Sequence, residues 1–156
     1  MKLTENFTLE ELTKSETAEK NDLDNTPDAE QIECLKQLCE NILQPLRDDF
    51  QKPLVVSSGF RSKKLSLLIG SKTTSQHCKG QAADFILPGV DNKKVFKHII
   101  ENLPMDQVIL EYYKESDNDN IEYSNEGWIH CSYKDGSNRK QVLTYSGGEY
   151  KNDLPD

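Results

Sequence analysis

Two stretches decide the fold of this chain, and they read Ser57-Ser58-Gly59-Phe60-Arg61-Ser62 and Ser75-Gln76-His77-Cys78-Lys79-Gly80-Gln81-Ala82-Ala83-Asp84. An arginine, a histidine and an aspartate stand here between short apolar runs. The run before the first stretch is short and β-branched, and the second stretch leads into another short apolar run, which is typical of strands. We therefore expect two strands at residues 53–57 and 82–87.

The remaining pattern predicts helices first and mostly strands later. Apolar residues recur at three- and four-residue steps from Pro27 to about Asp49 and predict a core helix. Pro45 should kink this helix or end its regular part. Residues 16–25 are polar and are predicted to be a loop. Another helix is expected after Asp91 or Asn92. Three further strands are expected later in the chain, at residues 107–113, 127–133 and 141–145. This order predicts an α+β fold with a central antiparallel sheet on which the helices pack.

Length and composition limit the function classes. The 156 residues fit one domain, 1–156, with a polar tail from about residue 147. A net charge of −8 disfavours nucleic acid as a partner, because polyanions are repelled. The sequence has no apolar run long enough to span a membrane, and its start lacks the features of a signal peptide. We expect a monomer that is cytoplasmic as synthesised, and its four cysteines are expected to be free thiols. If it acts outside the cell, another factor must release it.

A metal site is one interpretation of the polar residues. Side chains alternate along a strand, so Trp128, His130 and Ser132 share one face. Asp84 stands in a small apolar run and needs a metal, a cation or strong hydrogen-bond donors if it is buried. His77, Asp84 and His130 are all acceptable Zn²⁺ ligands, and three protein ligands leave a fourth position open. Structural hydrogen bonding of the same residues is the alternative.

These residues resemble a known family. The pattern Ser75-x-His77-x-x-Gly80-x-Ala82-x-Asp84, with Trp128-Ile129-His130 later and the turn at residues 57–62, is similar to the zinc D-Ala-D-Ala carboxypeptidases and L,D- or D,D-endopeptidases of family M15, especially their compact phage and bacterial branch. The resemblance implies the α+β fold of hedgehog domains and D,D-peptidases. It also implies a Zn²⁺ cofactor held by His77, Asp84 and His130.

The resemblance leaves the proton-transferring carboxylate open. Many relatives carry an acidic residue three positions before the last histidine, and this chain has Gly127 there. Glu111, at the end of an apolar run, resembles the glutamate that flanks the metal in hedgehog-like members, and we favour it as general base over Glu126. The resemblance further implies that Arg61 and Ser75 hold the substrate. Trp128, on the face of His130, is expected to contact it as well.

Two functions of different classes follow from these residues. The first is a zinc peptidase that cuts stem or cross-bridge peptides of peptidoglycan, as a phage or prophage lytic enzyme that reaches the cell wall after release. The second is a zinc-binding module of the same fold that has lost catalysis, which the missing acid at position 127 favours.

Overall fold

The computed structural model describes residues 1–118 and 120–152. In chain order, the strands are β1 (Lys2–Thr4), β2 (Phe7–Thr8), β3 (Val55–Ser58), β4 (Ala82–Ile86), β5 (Gln107–Glu111), β6 (Trp128–Ser132), β7 (Gln141–Ser146) and β8 (Glu149–Lys151). The α-helices are α1 (Leu9–Thr13), α2 (Glu16–Lys20), α3 (Ala29–Leu38), α4 (Gln44–Phe50), α5 (Lys63–Leu68) and α6 (Asn92–Asn102). A π-helical segment at Cys39–Leu43 joins α3 to α4, and a 3₁₀ helix occupies Gln76–Lys79. The predicted α+β class is confirmed.

A six-stranded sheet in the order β3-β4-β6-β5-β7-β8 forms the centre of the protein. Its neighbours run antiparallel as predicted, except that β5 and β7 are parallel. Asp106 accounts for the exception, because it accepts hydrogen bonds from two backbone N–H groups of the returning chain. The Arg139 N–H donates to the Asp106 carboxylate at 2.8 Å, and the Gln141 N–H donates to the Asp106 carbonyl oxygen at 2.9 Å. Strand β7 therefore starts beside the start of β5, and the prediction of an antiparallel sheet is wrong for this pair.

The two faces of the sheet differ in polarity, since successive side chains of a strand point to opposite sides. One face belongs to the hydrophobic core, to which α3, α4 and α6 also contribute. Its buried side chains include Ala83, Phe85, Val108, Leu110, Ile129 and Cys131. The other face carries Asp84, Glu111 and His130, so the sheet itself separates the core from the polar residues.

The regular α-helix is interrupted just before Pro45, as the sequence suggested, because α3 ends at Leu38 and a π-helical segment follows it. Pro45 lies one residue after the start of α4, and the chain passes into it through the π-helical segment. Proline has no N–H to donate, and its ring collides with the carbonyl four residues earlier in an α-helix. The wider turn just before Pro45 gives its ring more room, and the chain continues as α4 to Phe50.

Two segments expected to lack regular structure contain short elements. Residues 16–20 form α2, because the Ser15 hydroxyl accepts a hydrogen bond from the Ala18 N–H and the Ala18 side chain is buried. The loop prediction is therefore wrong for this part. Residues 149–151 of the predicted tail form β8 against β7, while residues 153–156 lie outside the described residues.

No helix in the described ranges is long and apolar enough to cross a membrane. The four cysteines are free thiols, and Cys39, Cys78 and Cys131 are buried.

Candidate metal centre

Three elements bring His77, Asp84 and His130 together. His77 lies on the 3₁₀ helix, Asp84 on β4 and His130 on β6, and the register of the sheet places Asp84 directly opposite His130. Directly opposed residues of neighbouring strands share a face. One donor atom from each of the three residues lies within 4.8 Å of the others. The residues predicted from the sequence to be ligands therefore meet at one point.

The separations of the donor atoms suit a tetrahedral cation. Nε2 of His77 lies 3.4 Å from Oδ1 of Asp84, and Nδ1 of His130 lies 2.9 Å from the same oxygen. Zinc bonds of about 2.0–2.1 Å at tetrahedral angles place neighbouring donors roughly 3.3 Å apart. The three side chains thus fit Zn²⁺ as three of its four ligands.

The hydrogen bonding of His77 gives an independent reason for an ion at this point. Its Nδ1 lies 2.7 Å from the carbonyl oxygen of Gly59, which only accepts, so Nδ1 carries the proton. Burial lowers the pKa of His77 by more than the neighbouring Asp84 raises it, so the ring is neutral. Nε2 then presents a lone pair to a carboxylate oxygen, and a cation between the two acceptors resolves their repulsion.

Asp84 is ionised in this environment. Burial alone raises the pKa of its carboxyl group, but the neighbouring His77 and His130 imidazoles lower it by more. The net effect holds the pKa of Asp84 well below its usual range. A half-buried carboxylate that stays charged between two imidazoles is suited to serve as a metal ligand.

The segments at residues 57–62 and 75–84 are joined through His77. The Ser75 hydroxyl accepts a hydrogen bond from the His77 N–H at 3.2 Å and begins the 3₁₀ helix, while the Arg61 N–H donates to the His77 carbonyl at 3.1 Å. Gly59 is required where β3 leaves the sheet, because a Cβ there would lie 2.2 Å from the carbonyl oxygen of Leu12. This close approach lets the Gly59 carbonyl orient the imidazole.

Glu111 lies two residue pairs along the β5–β6 ladder from His130 and on the same face of the sheet. It lies opposite Trp128 in the β5–β6 ladder, and the indole N–H of Trp128 donates to its Oε2 at 2.6 Å. Burial and the negative charge of Asp84 raise the pKa of Glu111. The electrostatic effect of His130 and the hydrogen bond from the indole lower this pKa, but by less. The net pKa is above the usual value, which suits a group that both takes up and releases a proton.

The structure explains why position 127 has no acid. Gly127 has φ +77°, and a Cβ there would lie 2.0 Å from the carbonyl oxygen of Glu111 and 2.6 Å from that of Tyr112. A side chain at this position would collide with backbone. Glu126, the other candidate base, is exposed, and its carboxylate has no hydrogen-bond partner among the described residues.

Of the residues expected to contact substrate, Arg61 is close to the centre. Burial lowers the pKa of His77 and raises that of Glu111, and the positive charge of Arg61 adds to the first effect and opposes the second. The Arg61 Nε is buried without a hydrogen-bond partner among the described residues. Arg61 also lines a groove of about 760 Å³ between β3, the segment from α1 to α2, and α5. The other two residues expected to contact substrate make hydrogen bonds within the protein. The Ser75 hydroxyl accepts from the His77 N–H, and the Trp128 indole N–H donates to Glu111.

Sequence reasoning missed three contributors to the site. The Gly59 carbonyl was hidden because a backbone acceptor leaves no side-chain signal. Asp106 accepts a hydrogen bond at 3.1 Å from Gln76, the neighbour of His77, and only its place before an apolar run could have drawn attention to it. Tyr112 lies beside Trp128 through an unusual backbone conformation that nothing in the sequence signals.

The comparison with protein families agrees with this geometry. The model of the family described as Peptidase M15 matches residues 5–132, a segment that contains His77, Asp84, Glu111 and His130. The comparison with curated proteins found no match. Because the family match covers well over half of the chain, this protein belongs to the M15 peptidases, a family of metallopeptidases.

Proposed function

We propose that this protein is a zinc peptidase that hydrolyses peptide bonds of peptidoglycan. The observation that carries the zinc part is the bare Nε2 of His77, which faces the ionised carboxylate of Asp84 at 3.4 Å. The substrate class follows from the M15 family, whose resemblance to this chain extends to the residues around the candidate centre.

His77, Asp84 and His130 would hold the ion and leave a fourth position for water or substrate. Bound zinc supplies Lewis-acid polarisation of the scissile carbonyl and makes water a stronger acid. The protein contributes two fixed imidazoles and one charged carboxylate, and it keeps His77 in the correct tautomer through the Gly59 carbonyl.

Glu111 is the general base of the proposed reaction. Its Oε2 is held by the indole of Trp128 at 2.6 Å, which leaves Oε1 to take a proton from the attacking water and pass it to the leaving amine. The raised pKa of Glu111 makes its carboxylate a stronger base toward the attacking water, and the protonated carboxyl group is still acidic enough to pass that proton to the leaving amine.

Arg61 and the groove beside it are proposed to receive the peptide. The planar guanidinium donates two parallel hydrogen bonds to a carboxylate or a carbonyl group. Edge strand β3 forms part of the groove wall, and no backbone–backbone hydrogen bond of the described residues joins β3 to a partner other than β4. An extended peptide laid along this edge would pair with the free backbone groups.

The second candidate is a zinc-binding module of the same fold without catalysis, and Gly127 in place of the family acid favours it. The two candidates differ in whether Glu111 has a chemical role. The half-buried carboxylate of Glu111, held by the Trp128 indole on the same face as His130, supports the enzyme.

Metal analysis and digestion of purified peptidoglycan test both candidates. We expect one zinc per protein, loss of zinc in His77→Ala, and new peptide ends in digests that mass spectrometry identifies. Glu111→Gln should retain zinc and lose activity at least a hundredfold, the scale of general acid–base catalysis. Glu126→Gln is the matched control and should retain both zinc and activity.

The outcomes separate the candidates. Zinc binding without hydrolysis of any peptidoglycan fragment would favour the binding module, and an active Glu111→Gln variant would remove Glu111 from the mechanism. The mass of the new ends identifies the bond and distinguishes a carboxypeptidase from an endopeptidase. The phage or prophage lytic role stays a prediction, which lysis of bacterial cells by added protein would test.

A further inference from the structure

Four aromatic side chains form a continuous surface beside Glu111, which we name the aromatic shelf: Tyr112, Trp128, Tyr145 and Tyr150. The ring centroids of Tyr112 lie 5.2 Å from Trp128 and 5.4 Å from Tyr145, and those of Tyr145 and Tyr150 lie 4.4 Å apart. These separations are in the range of direct aromatic contact. The shelf is therefore one surface rather than four separate rings.

The register of the sheet places the shelf on the face of the candidate metal centre. Trp128 lies opposite Glu111, Tyr145 lies beside Glu111 in the parallel β5–β7 pair, and Tyr150 lies opposite Tyr145. Side chains of directly paired residues project from the same face. The row thus runs from the neighbour of His130 across the sheet to its edge at β8.

Tyr112 joins this row through a left-handed backbone. Strict alternation after Glu111 would send its ring to the opposite face, but its φ is +53° and its ring contacts Trp128 and Tyr145 instead. The conformation is fixed by a hydrogen bond from the Tyr112 N–H to the Tyr145 carbonyl at 2.8 Å. A non-glycine residue held in this region is often found at a functional site.

The shelf is accessible to a ligand. Tyr112 is 44% exposed and Tyr150 is 58% exposed, while Trp128 and Tyr145 are partly exposed. Rings that served only to close the core over the edge strand would be buried. Open aromatic faces that continue directly into a catalytic centre are suited to substrate contact.

The chemistry of the shelf selects one class of ligand. Its faces are flat and apolar and its tyrosines end in hydroxyl groups, so a matching ligand has an apolar face and a polar rim. The Glu111 carboxylate at one end and the net charge of −8 disfavour an anion. We propose that the aromatic shelf binds a neutral pyranose ring, as in the N-acetylated sugars of a glycan strand.

This inference rests on the proposed function only for the origin of the sugar. In peptidoglycan the peptide is attached to the glycan, so a sugar on the shelf would place the peptide over the metal centre. Binding of the sugar itself needs no catalysis. The shelf can therefore be tested apart from the enzyme.

The protein carries its own reporter, because Trp128 is its single tryptophan. We would titrate the zinc-loaded full chain with soluble N-acetylglucosamine oligomers and follow Trp128 fluorescence. We expect a saturable change, and a Kd that is about three- to tenfold weaker in Tyr150→Ala, the effect of losing one aromatic contact. Tyr123→Ala, which removes another exposed tyrosine outside the shelf, is the matched control and should leave the Kd unchanged.

A second measurement needs no variant. NMR of the parent protein should show shifts of the shelf ring protons on addition of the same oligomers. In the activity arm, a disaccharide-peptide should have a lower KM than the same peptide without sugar, and Tyr150→Ala should remove this difference.

The two proposals fail in different ways. Sugar binding without hydrolysis would support the shelf and contradict the peptidase. Hydrolysis with neither a change in Trp128 fluorescence nor shifts of the ring protons would overturn the shelf, as would equal effects of Tyr123→Ala and Tyr150→Ala.

Discussion

Replacement of Gly127 by alanine tests whether the backbone itself keeps a side chain out of this position. A Cβ there would lie 2.0 Å from the Glu111 carbonyl oxygen, so relief needs a backbone shift of about 1 Å or more, and overpacking of this kind costs about 1–3 kcal/mol. The left-handed φ of +77° adds about 1–2 kcal/mol for a residue with a Cβ. The gain of about 0.4–1 kcal/mol from a stiffer unfolded chain offsets little of this. We expect the free energy of unfolding to fall by about 2–4 kcal/mol.

Urea unfolding followed by Trp128 fluorescence measures this change. Gly70→Ala is the matched control, because Gly70 has φ +79° and a Cβ there would meet nothing within 4 Å. The control carries the conformational cost without the collision and should lose about 1 kcal/mol or less. Equal losses in the two variants would mean that the collision at position 127 is relieved at no cost, and the explanation for the missing acid would then be wrong.

Three further predictions concern separate parts of the molecule. Asp106→Asn removes a buried carboxylate that Arg139 binds, and should cost about 2–4 kcal/mol of unfolding free energy at pH 7. Burial raises the pKa of Asp106, but the hydrogen bonds and charge of Arg139 lower it more, so the folded pKa lies below the unfolded value. This stabilisation is present above the unfolded pKa of about 3.9 and is lost as the pH falls through the folded pKa. Urea unfolding should therefore show a larger free energy of unfolding for the parent than for the variant at pH 7, and a smaller difference below pH 4. Trp128→Phe removes the hydrogen-bond donor that favours the ionised form of Glu111. The acidic limb of the pH–activity profile should therefore move to higher pH, and kcat should fall about tenfold. An unchanged pH–activity profile would contradict the role of the indole. Burial raises the pKa of Cys39 to about 12, so its thiol should resist alkylation at pH 8 in the native protein and react after denaturation, as mapped by mass spectrometry.

The sequence was sufficient for the parts of the site that depend on local alternation. Asp84 and His130 stand within short strands, and period-two alternation places each on a defined face before any pairing is known. Residue types alone leave a metal site with His77 as one of two interpretations, and the family resemblance favours it. The register of β4 against β6 supplies the physical basis for the meeting of Asp84 and His130.

Other parts depend on contacts that no local pattern encodes. The opposition of Glu111 and Trp128 depends on the register between β5 and β6, which a long polar loop separates in sequence. The parallel β5–β7 pair depends on the hydrogen bonds of Asp106, and the position of Tyr112 depends on a left-handed residue that breaks alternation. These features arise from tertiary contacts, so sequence periodicity could not predict them.

The relation between Gly127 and Glu111 connects the departure from the family pattern with the geometry of the site. The backbone that would collide with a side chain at position 127 belongs to Glu111 and to Tyr112 after it. The backbone at Glu111 and Tyr112 therefore occupies the space that the Cβ of an acidic residue at position 127 would need. An acid at 127 and the present course of β5 exclude each other, and this chain has the second arrangement. The glycine is thus the condition under which β5 can approach closely enough for Glu111 to stand beside the candidate ligands, and its presence agrees with a working carboxylate supplied by the neighbouring strand.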